Sequence, residues 1–172
     1  TVPTNVEHIG SYAFLGTNSL NLYLSADSMP AYLDENWDHG IAGYYVGVTS
    51  VNTLGDYKYA TLTSGNIAII EYLGQAESVD LTTLNLGAPI TAIGGSAFKD
   101  STVKSIVLPE TLTEIQAEAF TYTALESITI PASVTSIGGY AFSDCSSLTA
   151  VTIPAGVTEL APCVFEKCEN LQ

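Results

Sequence analysis

The sequence predicts a β-rich solenoid, in which short repeats stack on one another and share a single core. Three observations support this fold class. A six-residue segment ending in Phe recurs every 22 or 23 residues, a run of alternating apolar residues ending in Pro precedes it, and 47% of the 172 residues are hydrophobic. A unit of this length cannot bury its apolar face alone, so successive units must stack. Such a core is large enough to form without a metal or cofactor, and we expect none.

The repeated segment sets the period of the stack. Four copies align as Ile93–Phe98, Ile115–Phe120, Ile137–Phe142 and Leu160–Phe165, and a fifth copy, Ile9–Phe14, lies near the start. Because each copy ends on the same residue type in the same slot, stacking should place these rings above one another. The sequence therefore predicts one buried column made of Phe98, Phe120, Phe142 and Phe165.

The apolar runs ahead of these segments predict the strands. Ile106–Pro109, Ile128–Pro131 and Val151–Pro154 alternate in polarity, and the closing Pro has no N–H to continue a ladder. With the matching positions of the first repeat, they predict strands near residues 84–86, 106–108, 128–130 and 151–153. The outward columns of these strands would be small and uncharged: Thr83, Ser105, Ser127 and Ala150 in one, Asn85, Val107, Thr129 and Thr152 in the other.

These slots carry a family resemblance. The run Leu148-x-x-Val151-x-Ile153-Pro154-x-x-Val157-x-x-Leu160, the Ala-Phe corner and the closing Phe-x-x-Cys-x-x-Leu resemble the BspA-like leucine-rich repeat of bacterial surface proteins. The resemblance covers residues 79–172 well and residues 1–24 in part. It implies a right-handed leucine-rich-repeat solenoid with parallel strands along one face, in secreted or cell-surface proteins that adhere to host or matrix components.

Residues 20–78 depart from the repeat and predict the domain organisation. Residues 1–50 are expected to end an upstream repeat block with a short helix, which Asp27 or Ser28 would cap with Pro30 in its first turn. Residues 51–78 are expected to form a capping β-hairpin, with strands at 57–62 and 67–72 around Gly65. Residues 79–172 form the second array, which ends in mid-repeat, so we expect the native protein to continue.

Composition excludes several partners. Eighteen acidic residues against four Lys, with no Arg, give a formal net charge of −14, which disfavours nucleic acid and anionic lipid surfaces. No apolar stretch approaches the roughly 20 residues needed to span a bilayer, so no membrane insertion is expected within this sequence.

The sequence also contains few candidate residues for catalysis or metal binding. The sequence has only two histidines, His8 and His39, to serve as a base for a Ser or Cys nucleophile. His39 ends the run from Asp34, which could form a metal or acid/base cluster, although a solvated helix end explains it better. Closely spaced Cys or His pairs for zinc are absent. We predict no catalytic residue, no metal site and no enzymatic activity.

The three cysteines fit the repeat. Cys145 and Cys168 share one slot, 23 residues apart, where a small buried residue is expected. A disulfide between stacked neighbours is the alternative, although parallel side chains seldom orient correctly for one. We predict two buried free thiols, with Cys163 left over at the corner.

The aromatic residues suggest a binding site. Seven of the ten Tyr and the only Trp fall within residues 20–78. They could pack between the two blocks, or they could form an acidic aromatic platform for a carbohydrate or peptide. The candidate ligand-binding residues are Tyr32, Trp37, Tyr44 and Tyr45, with Asp34 and Asp38 nearby. The predicted function is an adhesion module that binds a host or matrix protein or glycan, and the alternative is a spacer that presents other domains.

Overall fold

The computed structural model describes residues 47–172 and the backbone of four short upstream strands. The upstream strands are β1 (His8–Ile9), β2 (Leu20–Tyr23), β3 (Tyr32–Leu33) and β4 (Ile41–Tyr45). The remaining strands are β5 (Val48–Leu54), β6 (Tyr57–Leu62), β7 (Ile67–Tyr72), β8 (Ser78–Asp80), β9 (Ile90–Ile93), β10 (Ser105–Val107), β11 (Glu114–Ile115), β12 (Ser127–Thr129), β13 (Ser136–Ile137) and β14 (Ala150–Thr152). No helix in these described parts is long and apolar enough to cross a membrane.

The upstream strands pair in parallel, one repeat apart. β1 pairs with β3, and β2 pairs with β4. The short helix expected after Asp27 or Ser28 does not include Tyr32 and Leu33, which are a strand instead. These two residues pair in parallel with His8 and Ile9, and an aromatic residue at such a position favours strand over helix. Asp27, Ser28 and Pro30 lie outside the described residues.

The second array is a β-solenoid of about four coils with parallel strands on two sides. On one side β8 pairs with β10, and β12 pairs with β14, in register. On the other side β9, β11 and β13 pair in order within a larger sheet. The strands expected near 106–108, 128–130 and 151–153 are confirmed, each beginning one residue earlier than predicted.

The prediction that the first strand lies at residues 84–86 is wrong. The strand that pairs with β10 is β8, with Ser78 opposite Ser105, so the first coil is 27 residues long where the later ones have 22 or 23. Asp80 ends this strand because its carboxylate accepts the Thr82 N–H at 2.9 Å and caps a 3-10 helix over Leu81–Thr83. The outward columns therefore start with Ser78 and Asp80, where Thr83 and Asn85 were predicted.

An antiparallel meander precedes the coils. β6 and β7 form the expected hairpin around Gly65, which has φ 82°, and β5 adds a third strand that the sequence pattern did not predict. β7 then pairs in parallel with β9, so one six-stranded sheet runs from β5 to β13. This sheet joins strands from both sides of the boundary predicted at residue 78. The domain boundaries stay predictions.

An aromatic column forms the centre of the core and confirms the predicted arrangement. Phe98, Phe120 and Phe142 are at most 1% exposed and stack at centroid distances of 5.3 Å. Phe165 closes the column at 5.5 Å and is only half-buried because it lies in the last coil. Tyr72 of the hairpin extends the column, with its ring 5.1 Å from that of Phe98. The hairpin therefore covers the first ring of the stack.

The cysteine slot lies beside this column, and all three thiols are free. The Cys145 thiol donates to the carbonyl oxygen of Phe120 at 3.1 Å, and the Cys168 thiol donates to that of Phe142 at 3.0 Å. Cys145 is fully buried as predicted, whereas Cys168, in the last coil, is half-buried. Each thiol thus ties one coil to the coil before it.

Candidate functional site: a groove at the solenoid corner

The residues predicted to bind a ligand lie upstream of the second array. Tyr32 belongs to β3, and Tyr44 and Tyr45 belong to β4, two strands that occupy separate sheets. Trp37, Asp34 and Asp38 lie outside the described residues. The aromatic platform stays a prediction, and the described coils offer a different candidate.

The corner around each Phe has an unusual backbone. In every coil of the array, the residues two before and two after the Phe are non-glycine residues with φ between 55° and 60°. They are Ser96, Asp100, Glu118, Tyr122, Tyr140, Asp144, Cys163 and Lys167. This left-handed conformation costs about 1 to 2 kcal/mol for a residue with a Cβ, so the surrounding structure must enforce it.

Hydrogen bonds between coils enforce this conformation. The N–H of Glu118 donates to the Gly139 carbonyl at 3.0 Å, and the N–H of Tyr122 donates to the Ser143 carbonyl at 3.0 Å. The next coil repeats the pattern, with Asp144 donating to Glu166 at 2.8 Å. The side chains of the corner are therefore carried on a backbone that is fixed from both sides.

A groove of about 240 Å³ runs along this corner. Its lining comprises Lys99, Glu118, Thr121, Tyr122, Tyr140, Ser143, Asp144, Glu166 and Lys167. Thr121 and Ser143 are buried, whereas Tyr122 and Tyr140 are 52% and 44% exposed. The groove therefore combines hydroxyl groups at its base with two accessible rings.

Ion pairs neutralise most of the charge in the groove. Lys99 Nζ lies 2.6 Å from Glu118 Oε2, and Lys167 Nζ lies 3.7 Å from Asp144 Oδ1. Asp144 also accepts the Ser143 hydroxyl at 2.8 Å. Both lysines of the groove are thus already matched to a carboxylate.

Tyr140 remains a neutral phenol at physiological pH. A hydrogen bond to Cys163 raises the pKa of Tyr140 above its ordinary value of 10.0, and the charges of Cys163, Glu166 and Glu118 raise it further. Its hydroxyl is hydrogen-bonded to Cys163 and keeps a lone pair that can accept a hydrogen bond from a ligand in the groove.

The groove is suited to binding more than to chemistry. The described residues contain no cluster of His, Cys, Asp and Glu that could hold a metal ion. Aromatic rings, hydroxyls and paired charges provide contact area and directed hydrogen bonds, which are the elements of a recognition surface.

Sequence reasoning missed Tyr122 and Tyr140. Their signal is present in the aligned repeats, since one follows its Phe by two positions and the other precedes its Phe by two. That both positions carry an αL backbone at one corner follows only from the structure.

The described architecture agrees with one repeat family. Residues 50–172 match the profile of the BspA type leucine rich repeat region, in six copies. The chain is a BspA-type leucine-rich-repeat protein. No curated protein matches it in sequence.

Solved structures share the fold of this BspA-type chain. A leucine-rich repeat protein from Bacteroides capillosus is 24% identical with a TM-score of 0.58, and the match covers 64% of this chain and 86% of that one. A leucine-rich repeat protein from Eubacterium ventriosum is 17% identical with a TM-score of 0.60, and the match covers 95% of this chain and 44% of that one. These matches concern the fold alone.

Proposed function

We propose that this BspA-type chain is a non-enzymatic cell-surface or secreted binding module, which recognises a host or matrix protein or glycan. The observation that carries the proposal is the corner groove, where two exposed tyrosines stand on a rigid backbone beside paired charges. Exposed aromatic side chains contribute much of the binding energy at interfaces because they give large contact area at low entropic cost.

The strand face offers less to a ligand. Its outward side chains are small, and the Ser105 hydroxyl donates to the Ser78 hydroxyl at 3.0 Å, within the same column. Apart from Val107, which is 52% exposed, this face presents mainly hydroxyl groups. It supports at most a flat contact.

Composition and groove chemistry support the rest of the proposal. The net charge of −14 opposes nucleic acid and anionic lipid as partners. The groove lining holds no histidine, and the Cys163 thiol is hydrogen-bonded to the Tyr140 phenol, which is a poor general base at neutral pH. A surface or extracellular location agrees with the family and with an acidic, hydroxyl-rich sequence.

The upstream interruption of the repeat is a second proposed contact region. Tyr32, Trp37, Tyr44 and Tyr45, with Asp34 and Asp38, combine rings and carboxylates in a short stretch of sequence. Such a stretch suits a ligand surface or the packing of two repeat blocks. The substitution Trp37→Ala distinguishes these two roles.

The alternative function is a spacer. The aromatic stack from Tyr57 to Phe165 and the sheet that crosses from the meander into the coils make a continuous rod. A rod of this kind could present other domains without binding anything.

The test is binding of the purified chain to immobilised extracellular-matrix proteins and to a glycan microarray. Four proteins are compared: the wild type, a double variant that carries both Tyr122→Ala and Tyr140→Ala, the single variant Trp37→Ala, and Val107→Ala as a control on the strand face. Loss in the double tyrosine variant supports the corner groove, and loss in Trp37→Ala alone supports the upstream region. If the folded wild type binds none of the probes, the binding proposal is wrong and the spacer function stands.

A further inference from the structure

We propose that the corner groove is a carbohydrate site that accepts one or two units of an uncharged glycan, with sugar rings packed on Tyr122 and Tyr140. This inference rests on the proposed binding function and names the ligand class of one site. Four features of the described residues support it. They are the two exposed tyrosine rings, the side chains that donate and accept hydrogen bonds, the backbone N–H groups that are already hydrogen-bonded, and the lysines that are paired with carboxylates.

The two rings provide the apolar contact. Tyr122 and Tyr140 expose about half of their surface, although one lies two residues after a core Phe and the other two residues before the next. The C–H faces of a pyranose ring pack on such aromatic faces. The αL backbone under both tyrosines is fixed between coils, so little further ordering is needed when a ligand binds.

The polar groups of the groove suit hydroxyl ligands. Sugar hydroxyls donate and accept at once, and the groove provides both kinds of partner close together. Carboxylates of Asp144, Glu118 and Glu166 accept, the ammonium groups donate, and the hydroxyl of Tyr140, which is hydrogen-bonded to Cys163, keeps a lone pair that can accept.

The backbone of the groove disfavours an extended peptide. Peptides that add to a protein surface as a strand need unpaired N–H and C=O groups. Here the N–H groups of Glu118, Tyr122 and Asp144 donate to the next coil, and that of Ser143 donates to the Tyr140 carbonyl at 3.0 Å. A ligand must therefore rely on side-chain contacts, which suits a glycan better than a peptide.

Charge and size restrict the glycan further. A sulfated or uronic acid chain would need free cations, but Lys99 and Lys167 are paired with Glu118 and Asp144 in a chain of net charge −14. The volume of about 240 Å³ lies below the roughly 300 Å³ at which typical drug-sized ligand pockets begin. One or two monosaccharide units are the expected occupant.

The experiment is a screen of the folded chain on a microarray of neutral oligosaccharides built from galactose, mannose, N-acetylglucosamine and N-acetylgalactosamine, with heparin as an anionic comparison. The best neutral oligosaccharide is then titrated while amide chemical shifts are followed by NMR. Shifts should concentrate at residues 118–122 and 140–144, and heparin should not bind. Tyr122→Ala and Tyr140→Ala should each weaken the affinity about tenfold, equivalent to about 1.4 kcal/mol. Tyr122→Phe and Tyr140→Phe, which keep the aromatic rings, should each change it by less than about threefold.

The outcomes separate the inference from the proposed function. Concentrated shifts together with the alanine losses support the glycan site. Binding of a matrix protein through the groove, with no response to neutral glycans, overturns the ligand class but keeps the binding function. Glycan binding that maps elsewhere, or survives both alanine changes, overturns the groove as the site. No binding to any glycan or matrix protein overturns both.

Discussion

Phe120 and Phe142 stack in parallel, with ring centroids 5.3 Å apart and ring planes 4° from one another. Both rings are fully buried, and each is covered by a ring on either side. The parallel geometry follows from identical turns repeated one coil apart, and it links the stability of neighbouring coils.

Replacing Phe142 by Ala should therefore be costly. We expect a loss of about 3 to 5 kcal/mol in the free energy of unfolding, through lost burial and a cavity. Phe165→Ala should cost less, because that ring is half-buried. Urea denaturation followed by circular dichroism measures both changes. A loss below about 1 kcal/mol for Phe142→Ala would be incompatible with a buried core ring.

A second prediction concerns the pair Gly138 and Gly139. A Cβ at Gly138 would overlap the backbone at Ala117 and Gln116 of the preceding coil, whereas a Cβ at Gly139 would meet only the Pro162 carbonyl, at 3.2 Å. Neither glycine has a positive φ, so the contrast is one of space. Gly138→Ala should destabilise the chain by about 1 to 3 kcal/mol, and Gly139→Ala by clearly less. Thermal unfolding of the two variants side by side tests this, and equal losses would contradict it.

Much of the fold was predictable because it follows from the repeat. The Phe column and three of the four strands of one face were found from period and alternation alone. The first strand was misplaced because residues 83–86 alternate in polarity, yet Asp80 caps a 3-10 helix over residues 81–83, directly ahead of them. That cap depends on side-chain geometry, which alternation does not show.

The candidate site was less predictable for a different reason. Counting tyrosines draws attention to residues 20–78, where they are most frequent. Tyr122 and Tyr140 are isolated in the sequence, and only the stacking of coils brings them to one groove. A site formed between repeats cannot be recognised from the composition of any one of them.

The Cys145 thiol should make stability fall at alkaline pH. Burial raises its pKa above the ordinary value of 9.0, and hydrogen bonds from Thr123 only partly oppose that effect. Below pH 9.0 the thiol is protonated in both states. From there up to the pKa of the folded state, the unfolded chain loses this proton while the folded chain keeps it, so unfolding becomes more favourable as the pH rises.

Cys145→Val isolates this contribution. The free energy of unfolding is measured by urea titration between pH 7 and pH 10 for both proteins, so that groups common to both cancel in the difference. The wild type should lose stability more steeply than the variant above pH 9.0. Parallel curves would show that the thiol does not titrate differently in the two states.

The strained corner gives the last prediction, at Asp100, which is exposed and has φ 60°. Glycine adopts this conformation without a Cβ penalty, although it gains entropy in the unfolded chain. Asp100→Gly should therefore be neutral or raise stability by up to about 1 kcal/mol. Asp100→Val should lower stability by about 1 to 3 kcal/mol, since a β-branched residue is poorly tolerated at positive φ.

Chemical denaturation of both variants measures the difference in stability. The N–H of residue 100 donates to the Thr121 carbonyl at 3.0 Å, so its amide exchange reports whether the corner stays closed. If the two substitutions proved equivalent, the left-handed backbone of the corner would not be a source of strain, and the rigidity that presents Tyr122 and Tyr140 would need another origin.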